Sequence, residues 1–275
     1  GSYPSSRAAG CPVGPGGVGK TEIAKVRAAA LPVPLIRLQC YEGLDATTAL
    51  YEWNYQYQIL HLKMHEQSGA SIAEKEESVF SERFLLKRPL LQAITTDSPA
   101  VLLIDELDRA DEEFESFLLE VLSEWQITIP ELGPVKATHI PYVVITSNRT
   151  RELSDAVRRR CLFLWIDFPG YQKELEIVKS KVIGVNAQLA EQICRFMEIL
   201  RKQKLEKIPG VSETLDWAQA LVALHRDHLD ENLIADTLGI ILKERTDLNQ
   251  TRESLPEFFE RMGIKSTPFG EKAKE

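Results

Sequence analysis

One eight-residue stretch constrains this chain more than any other. Gly14-Pro15-Gly16-Gly17-Val18-Gly19-Lys20-Thr21 fits the spacing G-x-x-x-x-G-K-[ST] at every fixed position. Glycines let a backbone curl until successive N–H groups point at one anion. A helix starting near Lys20 adds its positive N-terminal end to the same place. In such a loop the lysine reaches the outer phosphates of a nucleotide, and the hydroxyl of Thr21 ligates Mg²⁺. The bland alternative is a chance glycine-rich turn. The helix expected over Thr21–Ala30 offers Ile23, Ala24 and Val26 to seat it on a sheet. A buried strand should feed the loop, yet Arg7–Val13 contains Gly10 and Pro12, both poor in a central strand. That strand is expected to be short and distorted, unless this end departs from the natural sequence.

Four apolar runs follow the strand pattern: Pro34–Cys40, Ala100–Ile104, Tyr142–Thr146 and Leu162–Ile166. Helical patterns separate them, which argues for a parallel sheet flanked by helices. An unbroken run such as Val101–Ile104 suits a strand buried on both faces. After Pro169-Gly170 only helical spacing remains, as in Leu189, Ile193, Phe196, Met197 and Leu200, and again in Ile234, Leu238, Ile241 and Leu242. Pro209-Gly210 interrupts that region, and Ser212 reads as the N-cap of the next helix. The chain therefore divides into an α/β domain over residues 1–169 and an all-helical domain over residues 170–275.

Composition excludes several classes. There are 33 basic and 41 acidic residues, a formal charge of −8, with 44% hydrophobic residues. That balance disfavours wholesale disorder and a general nucleic-acid binder. No apolar run approaches the roughly 18 residues of a membrane span. Cys11, Cys40, Cys161 and Cys194 form no CxxC pair. They read as reduced thiols in a cytoplasmic protein. His61 with His65, and His225 with His228, have helical spacing but no nearby Cys and no HExxH frame, so surface or core roles outweigh metal binding.

Chemistry gathers at three further places. The apolar run Val101–Ile104 ends in Asp105-Glu106, where an aspartate can hold Mg²⁺ and a glutamate can polarise an attacking water. Eight carboxylates lie between Asp105 and Glu120. Those after Glu106 read as surface and helix-start acids. The run Tyr142–Ser147 ends in Asn148, which can orient that water, although Asn also caps loops. Arg158-Arg159-Arg160 is either a solvated basic cluster or an arginine finger for a neighbouring subunit, a role worth about 10³–10⁵ in rate.

In this order and spacing the elements resemble an AAA+ ATPase: Walker A at Gly14–Thr21, Walker B at Val101–Glu106, sensor 1 at Asn148 and a finger segment at Arg158–Arg160. Residues 126–140 look like the hairpin before sensor 1, and residues 43–70 like a helix-2 insert. Leu38–Asp45, Ala49–Tyr55, Ile104–Asp111, Thr146–Leu153 and Glu213–Trp217 are similar to MoxR-type ATPases of carbon monoxide dehydrogenase maturation (CoxD-like). The resemblance implies ATP and Mg²⁺ as ligands. It implies a homo-oligomer, a hexameric ring, acting as a chaperone with a von Willebrand factor A domain partner on a metalloenzyme client. Carried over, Gly14–Thr21 holds phosphate, Thr21 and Asp105 bind Mg²⁺, Glu106 activates water and Asn148 positions it. Arg160 is the first choice of finger and Arg159 the next. Ser212–Trp217 departs from the pattern, because it lacks a sensor-2 arginine. The aromatics Tyr51, Trp53, Tyr55 and Tyr57 are expected to pack on one face of a short insert, or else to project into a ring pore. A DNA-associated AAA+ protein of clamp-loader or helicase-loader type, and a nucleotide-binding scaffold with little turnover, are the rival readings.

Overall fold

The structure is a computed structural model that describes residues 9–64 and 79–263. His65 and the end of the expected 43–70 insert lie outside the described residues. The described chain divides into two compact units. One holds everything up to Trp165 except Pro15–Gly19, and the other holds Pro15–Gly19 together with the residues from Ile166 onward.

The first unit is built on five parallel strands in the order β2-β5-β8-β1-β9. These are β1 (Ala9–Val13), β2 (Leu35–Gln39), β5 (Val101–Asp105), β8 (Tyr142–Ile145) and β9 (Cys161–Trp165). Strand β5 is buried along its whole length, with Val101 to Ile104 no more than 1% exposed. Burying such side chains contributes roughly 1.5–3 kcal/mol each, which makes β5 the axis of this unit. Its aspartate is drawn inward by the strand rather than by its own chemistry.

Strand β1 forms despite Gly10 and Pro12. It pairs along its whole length with β9, from Ala9 opposite Cys161 to Val13 opposite Trp165. Toward β8 the ladder is reduced to Gly10 opposite Val144. The Pro12 carbonyl accepts a long 3.4 Å bond from the Ser147 amide, and proline has no N–H to return one.

Helix α1 (Lys20–Ala30) packs on one face of the sheet through Ala24 and Ala28. The sequence reading expected Val26 in that seat, but Val26 is 65% exposed. At about 100° per residue the i, i+4 pair defines the buried stripe, and a residue two steps away points outward. Next come α2 (Ala46–Leu50), β3 (Tyr51–Trp53), α3 (Tyr55–Met64), β4 (Leu85–Lys87) and α4 (Pro89–Thr95). Strands β3 and β4 form a small antiparallel pair. The alternating aromatics are thus split between elements. Trp53 is buried on β3, whereas Tyr55 and Tyr57 are exposed on α3.

Helix α5 (Glu112–Glu124) starts at Asp111, whose carboxylate accepts from the Phe114 amide at 2.8 Å. Strands β6 (Gln126–Ile129) and β7 (Gly133–Lys136) make the hairpin expected around Gly133. The short α6 (Asp155–Arg160) precedes β9.

The second unit contains α7 (Tyr171–Lys181), α8 (Ala187–Leu200), α9 (Val211–Ala223), α10 (Glu231–Ile241) and α11 (Arg245–Met262). They close over their own apolar core, in which Phe196, Trp217, Phe258 and Phe259 are large buried rings. Helix α9 is capped by Gly210 rather than by Ser212, which is the second residue of the helix. Glu213 accepts from the Gly210 amide at 2.8 Å, as in a capping box. Glycine is required at the cap, because a Cβ on Gly210 would lie 2.7 Å from the Gly17 Cα.

Candidate functional site

The site is built at the C-terminal ends of β5 and β8, where a parallel sheet presents its loops. The chain turns sharply after Asp105. Glu106 takes a left-handed backbone conformation at φ 57°, which costs a residue with a side chain about 1–2 kcal/mol. Thr146, the residue after β8, pins the turn in place. Its hydroxyl accepts from the Glu106 amide at 2.9 Å and donates to Asp105 Oδ1 at 2.5 Å, and its carbonyl accepts from the Leu107 amide at 3.0 Å. Strain of this kind persists only where the surroundings over-determine it, and it clusters at functional sites.

The turn brings together the residues singled out from the sequence. The hydroxyl of Thr21, on α1, lies 3.4 Å from Asp105 Oδ1. Asn148 Nδ2 donates to Glu106 Oε1 at 3.0 Å. Lys20 is buried, and its ammonium donates to the Gly14 carbonyl at 2.9 Å. Burial holds the Lys20 pKa below the usual lysine value, against the opposing pull of Asp108, Asp105 and Glu106. Pro15–Gly19 groups with the second unit. There the Gly17 carbonyl accepts from the Val211 amide at 2.9 Å and the Ser212 amide at 3.3 Å. Arg158, Arg159 and Arg160 sit exposed on the last turn of α6, which is anchored by buried Val157. Among the described residues, no hydrogen bond joins them to Asp105, Glu106 or Asn148.

Four side chains that sequence reasoning passed over complete the arrangement. Asp108 is 3% exposed and accepts from the amides of Asn148 and Thr150, at 3.0 and 2.8 Å, and from the Thr150 hydroxyl at 2.6 Å. Burial pushes its carboxyl up, but the bonds from Thr150 and Asn148 prevail and hold it below the usual range. Glu115 is fully buried, accepts from the Ser154 amide at 2.9 Å and pairs with Arg151. Both acids belong to the run expected to be solvated. They are instead the posts that hold the loop after β8. From the adjacent strand, Arg37 pairs with Asp105, and Gln39 donates to Glu106 Oε2 at 3.1 Å. Their i, i+2 spacing on β2 was the available signal.

These elements open on a cavity of about 430 Å³ lined by Glu42, Glu106, Asp108, Arg109, Asn148, Thr150 and Arg151. Arg109 lies 3.2 Å from Glu106, so the cavity carries both signs of charge.

Residues 11–161 match the family described as AAA domain (dynein-related subfamily). The chain belongs to that family. It is therefore an AAA+ ATPase domain on a five-stranded parallel sheet, followed by a helical region. Among curated proteins it is 23% identical to the gas vesicle ATPase GvpN of Haloferax mediterranei, over 88% of this chain and 71% of the relative. It is 27% identical to an uncharacterized protein of Staphylococcus haemolyticus, over 77% of this chain and 74% of the relative. Among solved structures, the Thermotoga maritima RuvB Holliday junction branch migration motor superposes with a TM-score of 0.47 at 16% identity. It covers 94% of this chain and 75% of that chain.

An AAA domain is expected to bind a nucleotide, usually with Mg²⁺, and the donors here suit that ion. Thr21 Oγ1 and Asp105 Oδ1 are two hard oxygens close together, and Mg²⁺ takes few protein oxygens beside phosphate and water. No helix among the described residues is long and apolar enough to cross a membrane. Cys11, Cys40 and Cys194 are buried free thiols whose pKa burial pushes up to about 12. That disfavours thiolate chemistry at these positions.

Proposed function

We propose that the chain hydrolyses ATP to ADP and phosphate at the Asp105–Glu106–Asn148 cluster. It would do so as one subunit of a MoxR-type ring that remodels a protein. The observation that carries this is the convergence of Thr21, at the start of α1, with Asp105, Glu106 and Asn148, at the ends of β5 and β8, where Thr21 bonds Asp105 at 3.4 Å and Asn148 bonds Glu106 at 3.0 Å. Mg²⁺, when bound, would be held by Thr21 and Asp105 and would neutralise charge that develops on the phosphates.

The protein's own part begins with the loop amides and the Lys20 ammonium, which hold the phosphates. Glu106 takes the proton of the attacking water as its oxygen bonds to the γ-phosphorus and the bond from that phosphorus to the ADP oxygen breaks. Asn148, bonded to the other carboxylate oxygen, fixes the rotamer of Glu106 and hence the line of attack. Asp108 holds the Asn148 backbone, so the water-orienting amide is braced from below. Arg160, with Arg159 as the alternative, would stabilise the transition state from a neighbouring subunit, since its own subunit leaves it exposed at the end of α6.

The hexameric ring, the cytoplasmic location, a von Willebrand factor A domain partner and a metalloenzyme client rest on the likeness of Leu38–Asp45 and its companion stretches to the CoxD-like group. The relatives bear on the ATPase reading in general, and one of them is itself a gas vesicle ATPase.

The decisive measurement is ATPase rate against protein concentration for wild type, Glu106→Gln and Arg160→Ala. The expected result is a specific rate that rises with concentration. Either substitution should lower it by about 10³ while nucleotide binding persists. An Arg160→Ala variant that hydrolyses ATP normally moves the finger elsewhere. A wild type without turnover at any concentration refutes hydrolysis and favours a nucleotide-binding scaffold.

A further inference from the structure

Asp105 is a carboxylate with almost no access to water, and its two oxygens are held differently. Oδ1 receives the hydroxyls of Thr146 and Thr21, at 2.5 and 3.4 Å. Oδ2 is held by Arg37 alone among the described contacts, through Nη2 at 2.5 Å and Nε at 3.1 Å. The partners also differ in exposure. The Asp105 side chain is 6% exposed and that of Arg37 is 54% exposed. One oxygen is thus fixed by small groups inside the fold, and the other by a long side chain that can leave.

Arg37 is not needed to join the strands. Strand β2 is already paired to β5 over five consecutive residues, from Leu35 opposite Val101 to Gln39 opposite Asp105. What Arg37 adds is charge. A buried carboxylate without a counter-charge is strongly disfavoured, and hydroxyl donors supply none. A divalent cation beside Thr21 and Asp105 would supply positive charge of its own within a few ångströms, and two cations so close repel. Arg37 also has a ready alternative partner, because its Nη2 already donates to Gln39 Oε1 at 2.5 Å.

We infer that Arg37 is a place-holding counter-ion for Asp105, which Mg²⁺ must displace on entering the site. The inference rests on the nucleotide reading given above and adds a residue to it. Arg37 is a positioning residue that sets how much Mg²⁺ the site requires, and it does not touch the reacting atoms.

The test is a Mg²⁺ titration of a fluorescent ADP analogue on the full chain, paired with thermal unfolding in EDTA and in Mg²⁺ with ADP. In Arg37→Gln, half-saturation is expected at about five-fold lower free Mg²⁺, the factor set by an ion pair with one exposed partner. The same variant should melt below wild type in EDTA, and the deficit should shrink once Mg²⁺ and ADP are present. Arg37→Lys, which keeps the charge, should return the Mg²⁺ requirement toward wild type. Arg88→Gln, which removes an equal charge from the exposed pair with Glu52, should leave it unchanged. An unchanged or higher Mg²⁺ requirement in Arg37→Gln overturns the inference, as does weaker ADP binding at every Mg²⁺ concentration, which would make Arg37 a direct phosphate ligand. If wild type binds the analogue and only these variants misbehave, the nucleotide reading survives and the role of Arg37 falls. A wild type that binds no analogue at any Mg²⁺ concentration removes both.

Discussion

Asp105 in the α/β unit and Glu174 in the helical unit are both carboxylates withdrawn from water, at 6% and 1% side-chain exposure, and both are neutralised by an arginine. The arginines differ. Arg37 is half exposed and spends its Nε and Nη2 on one carboxylate oxygen. Arg201 is 8% exposed and engages both oxygens of Glu174, at 2.5 and 2.8 Å, together with the Pro209 and Gly210 carbonyls and the Thr214 hydroxyl. Thr214 in turn donates to Glu174 at 2.7 Å. The same pair of residue types therefore serves two ends. A closed, fully satisfied fork holds helix ends together, and an open one leaves a charge that can be exchanged for another.

The sharpest way to break this contrast is Arg201→Ala. Leaving Glu174 buried without its partner should cost about 3–5 kcal/mol in chemical denaturation. A loss below about 1 kcal/mol would mean that the helical unit's pair is as exchangeable as the other. Asp108→Ala comes next, because it strands two loop amides and a hydroxyl. We expect about 2 kcal/mol of lost stability, with poorer hydrolysis as the support under Asn148 goes. The sign with pH follows from the lowered Asp108 pKa. Its stabilisation is complete above the ordinary carboxylate value near 3.8 and is lost as pH falls through the lower folded value. The pH dependence of unfolding below about pH 4 should therefore flatten in Asp108→Asn. Arg37→Ala in the absence of Mg²⁺ should cost only about 1 kcal/mol, given its exposed partner. A cost equal to that of Arg201→Ala would erase the distinction drawn between the two forks. The smallest effect is expected of Glu106→Gly. It relieves the left-handed backbone and should be stabilising by roughly 0.5 kcal/mol, net of the added freedom of the unfolded chain, while hydrolysis disappears.

Much of the α/β sheet could be read from its apolar runs, because strands buried on both faces carry unbroken aliphatic sequence. Val101–Ile104 is the clearest instance. What the runs do not encode is which acids the fold takes inside. Asp108 and Glu115 look alike in sequence beside Glu112 and Glu113, and only the turn at Glu106 and the path of residues 146–154 separate them. Residue type favours Ser212 as a cap, but close approach of Gly17 and Gly210 selects the residue without a side chain. Hydrophobicity alone groups Val26 with Ala24, whereas the helix stripe favours the smaller Ala28. Arg37 and Gln39 carried a weak signal, two polar residues alternating on a strand. It gains meaning only once β2 is known to lie beside β5.

The proline in β1 has a mechanical consequence. Because Pro12 cannot return a bond to the neighbouring strand, the five-stranded sheet behaves as two ribbons, β2-β5-β8 and β1-β9, stitched along a thin seam. Weak 3.4 Å bonds from Ser147 to Pro12 and from Gly14 to Ser147 close that seam beside Gly10. The acids and the amide of the site lie on one ribbon, and Gly14, where the glycine loop begins, hangs from the other. Amide deuterium exchange should therefore run faster at Ser147 and Gly14 than along β5, marking a crease about which the start of the loop can tilt while the strands on either side stay rigid.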